Sequence, residues 1–233
     1  MTPPNAPPLS AQKVGVEVDA GRRVSGLLEL PADARCCYVL AHGAGAGMAH
    51  PFMAAVADEL AERSIGTLRF QFHYMEQGSK RPDPPALAQA AVRAAVATAG
   101  ELAPGLPLIA GGKSFGGRMT SQAQAASPLP GVRGLAFLGF PLHPAGKPSD
   151  GRAAHLLDVK VAMLFLQGTR DALADLGLLR PVVAKLGKRA TLRLADDADH
   201  SFHVPARTGR KDPEVRREML DALAAWAGKV ATA

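Results

Sequence analysis

The chain has 233 residues, a formal net charge of +6, 47% hydrophobic and 21% charged residues, a balance that suits a folded globular protein and excludes a charge-dominated disordered one. No apolar run approaches the roughly 18–20 residues that span a bilayer, and Met1-Thr2-Pro3-Pro4-Asn5-Ala6-Pro7-Pro8 has neither the basic start nor the apolar centre of a secretory signal. Basic residues are dense only from Arg207 to Arg217 and carry no interleaved aromatics, which predicts a solvated basic face and no specific nucleic-acid partner.

Residues 1–12 read as a disordered tail and 13–233 as one domain. Val14 to Val18 alternates like a strand, Asp19-Ala20-Gly21-Arg22 turns it, and Arg23 to Leu30 returns as the second strand of a hairpin. Cys36 to Ala41 is a continuous apolar run fit for a strand buried on both faces. Its adjacent cysteines would point to opposite faces, which disfavours a disulfide between them. They predict reduced thiols in or near the core and, with no signal segment, a cytoplasmic protein.

A Gly-rich loop follows, His42-Gly43-Ala44-Gly45-Ala46-Gly47, at the end where open α/β sheets bind ligands. Phe52 to Arg63 is an amphipathic helix and Ile65 to Phe72 the next strand. His73 to Pro85 reads as a long loop, and Ala86 to Leu102 as an Ala-rich helix. Leu106 to Ala110 is a strand, and Arg118 to Ala126 a helix. Val132 to Phe140 is a strand. Pro141 to Lys160 is mostly loop, with at most one helical turn near Ala153 to Leu157. Val161 to Gln167 and Thr191 to Ala195 are strands on either side of a helix, Ala174 to Leu186. Pro213 to Val230 closes the chain as a helix, with Trp226 packed on the sheet. A hairpin followed by alternating strand and helix predicts an α/β fold: a mostly parallel central sheet, helices on both faces and an N-terminal antiparallel hairpin.

The chemistry centres on Gly112-Lys113-Ser114-Phe115-Gly116, a G-x-S-x-G match between a strand and a helix. Such a turn holds the Ser backbone in a strained conformation and lifts its Oγ above the sheet. Glycines two residues before and after the Ser relieve the contact between strand and helix. The rival P-loop reading of Gly112-Lys113-Ser114 needs a Gly five residues earlier, where Pro107 stands. Asp171 and His200 follow at the ends of later strands, in the order Ser…Asp…His of α/β-hydrolases. Asp175, Asp196, Asp197 and Asp199 compete for the acid position, Asp175 also reading as a helix cap. Among the histidines, His42 fits a role orienting the Gly-rich loop, His50 and His155 read as surface residues, and His73, His143 and His203 could border a pocket. No pattern of metal-ligand spacing is present and no cofactor is implied.

On His42 to Ala46, Arg69 to Met75, Gly111 to Arg118, Gln167 to Asp171 and Asp199 to Phe202, the chain resembles the α/β-hydrolase superfamily. It most resembles the dienelactone-hydrolase-like branch of small capless bacterial serine hydrolases. Dienelactone hydrolases carry Cys where this chain has Ser114. The resemblance and the chemistry together imply a triad of Ser114, Asp171 and His200, with an oxyanion hole from the N–H groups of Ala44 and Phe115. The short segment after Phe140 leaves no room for a cap domain, so an open site is expected. His42, Gly43, Gly45, Tyr74, Met75, His143 and Phe202 would form its pocket. Lys113 is expected to have a solvated head. The expected activity is a carboxylesterase or thioesterase on small acyl substrates, with no membrane partner. The other reading is a catalytically silent binding or scaffold protein on the same fold. Oligomeric state is left open.

Overall fold

In the computed structural model, which describes residues 11–232, a hairpin precedes the strand–helix alternation. The hairpin is β1 (Gln12–Asp19) and β2 (Arg22–Glu29). Then follow β3 (Cys36–Ala41), α1 (Pro51–Ala61), β4 (Ile65–Phe70), α2 (His73–Glu76), α3 (Pro85–Leu102), β5 (Leu108–Lys113), α4 (Phe115–Ala126) and β6 (Val132–Leu138). A 3-10 helix (Gly151–Asp158), β7 (Ala162–Gly168), α5 (Leu176–Leu186), β8 (Ala190–Ala195) and α6 (Asp212–Ala231) complete the chain. The expected N-terminal tail falls mostly on residues 1–10, outside the described residues; Gln12 already belongs to β1.

The eight strands form one sheet in the order β1-β2-β4-β3-β5-β6-β7-β8. β1–β2 and β2–β4 pair antiparallel, and every other pairing is parallel. Chain order reverses between β3 and β5, which lie side by side with Ala41 opposite Gly112. At such a switch point the loops leaving the two strands diverge and open a crevice. Here those loops are the Gly-rich segment after Ala41 and the turn at Ser114.

Alternation along the buried strands sorts side chains onto two cores. Cys37, Val39 and Ala41 face α3 and α4 in one core. Cys36, Tyr38 and Leu40 face α1 and α6 in the other. The two thiols are free and buried on opposite faces, and burial pushes the Cys36 thiol up to about 11 and the Cys37 thiol to about 12. The Tyr38 hydroxyl donates to the Ala136 carbonyl at 2.8 Å, so a polar tip inside the core has its partner. Trp226 packs on β6 so closely that a Cβ at Gly134 would lie 2.7 Å from its ring. No helix among the described residues is long and apolar enough to cross a membrane.

Three local features depart from the sequence reading. The expected loop after β4 opens with α2, because the Asp83 carboxylate, nine residues on, accepts from the Tyr74 N–H at 3.1 Å and satisfies a free donor of the first turn. β5 continues through Gly111 and Gly112 to Lys113. The segment between β6 and β7 holds an eight-residue 3-10 helix, with Ala153 and Leu156 buried three residues apart, as a three-residue turn requires. That helix packs beside α4 and leaves the strand ends uncapped. The basic C-terminal stretch is partly neutralised: Arg207, Arg210 and Arg216 pair with Asp197, Glu218 and Glu59.

Candidate active site

Ser114 sits between β5 and α4 with φ 50° and ψ −114°, a strained conformation for a residue bearing a Cβ. The tight crossing behind it explains why it is held there. A Cβ at Gly112 would lie 2.1 Å from the Ala41 carbonyl oxygen, and one at Gly116 2.5 Å from the same atom. The elbow thus presses against the end of β3, with the Ser side chain turned away into a half-buried position above the sheet.

His200 Nε2 lies 2.8 Å from Ser114 Oγ, and His200 Nδ1 lies 2.6 Å from Asp171 Oδ2. Asp171 is an acceptor only, so the imidazole donates through Nδ1–H and presents Nε2 as acceptor to the Ser hydroxyl. The Asp171 carboxylate is fully buried. It accepts from the Leu173 N–H at 2.7 Å and from the Gln167 side-chain amide, whose oxygen accepts from the Phe140 N–H at 2.9 Å. Three donors therefore converge on one buried carboxylate. Gln167 is not among the expected site residues, although a fully buried amide at the end of an apolar strand is the mark of a polar partner.

Three of the four rival acids have other partners. Asp175 caps α5 by accepting from the Leu178 N–H at 3.1 Å. Asp197 pairs with Arg207. Asp199 braces the turn that carries His200, accepting from Ser201 and His203 N–H groups at 2.7 and 3.0 Å. His155, expected at the surface, is instead partly buried against α4, with Nε2 2.8 Å from Ser121 Oγ. Ser121 is fully buried and its hydroxyl donates to the Arg118 carbonyl at 2.9 Å. With its single proton on the backbone, the hydroxyl accepts from His155 Nε2–H, so this second Ser–His pair holds the 3-10 helix to α4 and does not activate Ser121. Burial and Arg118 hold the His155 imidazole down to about 4.

The Gly-rich loop is cradled by the segment after β4. Buried His42 accepts from the Phe72 N–H through Nε2 at 3.2 Å, which leaves Nδ1–H to donate to the Gly43 carbonyl at 2.7 Å. Burial lowers its pKa and keeps the ring neutral. Tyr74 Oη accepts from the Gly45 N–H at 2.9 Å, and Gln71 accepts from the Met48 N–H at 2.8 Å. Arg69, in a buried pair with Glu29 at 2.9 Å, reaches the Met48 carbonyl at 3.4 Å. The N–H groups of Ala44 and Phe115 make no hydrogen bond among the described residues.

A cleft of about 490 Å³ opens beside Ser114 and His200, walled by Gly43, Ala44, Ala46, Phe52, Met53 and Leu173, with His50, Ser201 and Lys113 at its polar edges. Of the expected pocket residues Gly43 alone lies on this wall. His42, Tyr74 and Met75 support the Gly-rich loop from beneath, and Gly45 is exposed on its outer side. Buried His143 accepts from the Asp175 N–H at 3.0 Å and so steadies the segment after Asp171. Phe202, at φ 62°, stacks behind Phe52 with ring centroids 6.2 Å apart. Where the sequence predicts a rim of loops, the start of α1 supplies it, because its first turn follows the Gly-rich loop directly over the switch point. Lys113 also differs from expectation. Its head, half-buried at the cleft edge, is turned inward to donate to the His200 carbonyl.

The sheet order, the strained elbow and the Ser–His–Asp chain are those of the α/β-hydrolase class. The chain matches the family described as alpha/beta hydrolase domain over residues 34–228, and it belongs to that family. Among solved structures, a dienelactone hydrolase from Anabaena variabilis has a TM-score of 0.76 at 20% identity, covering 95% of this chain and 98% of that one. A serine hydrolase without a lid from Xanthomonas campestris gives 0.72 at 21%, covering 96% and 98%. A cold-adapted esterase from an Arctic intertidal metagenomic library gives 0.69 at 20%, covering 98% and 97%. At these identities the likeness is one of fold.

Proposed function

We propose that the protein is a serine hydrolase acting on small acyl esters or thioesters, working in the cytoplasm with no cofactor. The observation that carries this reading is the continuous chain from Asp171 through His200 to Ser114 at the mouth of an apolar cleft. A Ser hydroxyl is a poor nucleophile unless a base takes its proton. Here Nε2 of His200 accepts that proton as Ser114 Oγ attacks the acyl carbonyl, and Asp171 offsets the charge that forms on the ring. The Ala44 and Phe115 N–H groups are free to meet the oxyanion. His200 then returns the proton to the departing alkoxide or thiolate, and water repeats the sequence on the acyl-Ser114 ester. The open cleft and its Phe52, Met53 and Leu173 walls favour short apolar acyl groups.

The test is labelling by a fluorophosphonate probe, followed by a panel of esters and acyl thioesters of increasing chain length. Wild-type labelling that disappears in Ser114→Ala, with turnover of short-chain substrates, supports the reading. Folded protein that neither labels nor turns over any of the panel overturns it in favour of a binding or scaffold role. A further expectation concerns the loop. Tyr74→Phe strands the Gly45 N–H and loosens the segment that carries Ala44. Small misplacements of a reacting geometry are costly, so turnover should fall roughly tenfold while stability changes by no more than about 1.5 kcal/mol. Steady-state kinetics beside a thermal melt checks this; unchanged turnover would mean that Ala44 is held without Tyr74.

A further inference from the structure

Lys113 stands between Gly112 and Ser114, where an outward-pointing lysine would be free to reach water. Its side chain instead runs inward across the site. Its Cγ passes 3.5 Å from the point where a Cβ would sit on Gly43, and its Nζ 2.9 Å from the corresponding point on Gly139. The same point on Gly139 is 3.3 Å from His200 Nδ1, so the ammonium and the imidazole are separated by no more than about 6 Å. Nζ donates to the His200 carbonyl and lies 5.6 Å from the centre of the Phe202 ring. One side chain therefore touches the Gly-rich loop, the segment after β6 and the turn that carries His200.

Half-buried at the cleft edge, the ammonium gives up part of its hydration, a cost that an unbranched apolar side chain would not incur. The stem alone would satisfy packing, so the charged head points to a use. We propose that Lys113 is a positioning residue for His200: its ammonium anchors the His200 backbone, and its charge favours the neutral imidazole that accepts the Ser114 proton. This rests on the serine hydrolase reading above for its catalytic meaning, while the contact between Lys113 and His200 stands on geometry. The charged and titratable groups facing Lys113 are Asp171 from the segment after β7, Asp199 and His200 from the segment after β8, and His50 across the cleft. Both carboxylates favour the ammonium; burial opposes it and is the larger effect, leaving the Lys113 pKa at about 8. At neutral pH the head is still charged.

The sign follows directly. A cation within about 6 Å repels a second positive charge on the imidazole. Removing it also leaves Asp171 and Asp199 to attract that charge. Both changes make His200 easier to protonate, so its titration moves to higher pH.

The experiment follows the His200 Cε1–H resonance by NMR titration in wild type, Lys113→Met and Lys113→Gln, the signal being assigned by its loss in His200→Ala. Lys113→Met keeps the stem and removes charge and donor. Lys113→Gln keeps a donor and removes the charge, and it serves equally should the Met variant fold poorly. The midpoint should rise by about one pH unit in both variants. The rate of fluorophosphonate labelling well above the midpoint should fall about tenfold in Lys113→Met, with part of that loss restored in Lys113→Gln. A residue that merely packs would lower stability without moving the midpoint, so coincident midpoints in all three proteins overturn the proposal. The titration needs no turnover. If wild type neither labels nor turns over any of the ester and thioester panel, the serine hydrolase reading fails, and the resonance still decides whether Lys113 acts on His200.

Discussion

Ser114→Ala is expected to lower kcat/KM for any ester the wild type hydrolyses by about 10⁶-fold, with the fold intact. The replaced group is one hydroxyl, half-buried and bonded only to His200 Nε2 at 2.8 Å. Ala keeps the Cβ, so the backbone strain at φ 50° is the same in both proteins and stability should change by less than about 1 kcal/mol. Ser121, the other serine near the elbow along α4, cannot replace the hydroxyl as nucleophile: it is sealed in the core with its proton on the Arg118 carbonyl. Kinetics on purified protein with a matching thermal melt settles the matter, and a variant that retains more than about a thousandth of wild-type activity would remove Ser114 from the chemistry. Asp171→Asn should cost about 10⁴-fold by a different route. Three N–H donors, from Leu173, Gln167 and His200, point at the carboxylate. An amide must turn its own NH₂ toward at least one of them. Relief comes most readily from His200, the only one of the three that can move its proton to the other ring nitrogen, and that tautomer cannot accept from Ser114.

The contrast between these groups and the cleft shows what a sequence carries. The elbow was legible because strand, Gly-rich turn and helix are all local, and the order of Ser114, Asp171 and His200 follows from their places at strand ends. The two cores were legible in the uninterrupted run from Cys36 to Ala41. What escaped depends on partners outside each local stretch of sequence. α2 forms because Asp83 supplies a bond to Tyr74. Lys113 turns inward because Gly139, with φ 72° and no side chain, leaves room beside His200. The cleft wall comes from Phe52 and Met53, which in sequence are merely the apolar face of a helix. Tyr74 and His143 were expected in the pocket because they are polar aromatics on loops. The fold uses both as hydrogen-bond acceptors beneath those loops, a role that composition alone does not distinguish from lining a cleft.

Gly112→Ala is expected to damage folding severely, destabilising the protein by about 4 kcal/mol or preventing accumulation of soluble chain. Two effects act together. Gly112 has φ 145°, a region open in practice only to glycine, and forcing another residue into it costs on the order of 1–3 kcal/mol. That φ also swings the Cβ position out of its usual place above the sheet and into its plane. The neighbouring strand lies there: Ala41 pairs with Gly112, and its carbonyl oxygen would be 2.1 Å from the new carbon. Both atoms belong to backbone, so no rotamer change relieves the overlap; β3 and β5 must part. Overpacking of this kind adds roughly 1–3 kcal/mol more. The damage falls at the switch point, where the parting of β3 from β5 would also carry the Gly-rich loop away from Ser114. Gly100→Ala is the control. It lies inside α3 with no atom within 4 Å of the added carbon, and it should stabilise the chain by roughly 0.5–1 kcal/mol. Chemical denaturation of the two variants beside wild type measures both. A Gly112→Ala protein as stable as wild type would show that the elbow can relax, and that the glycine there is not demanded by the close approach of β3.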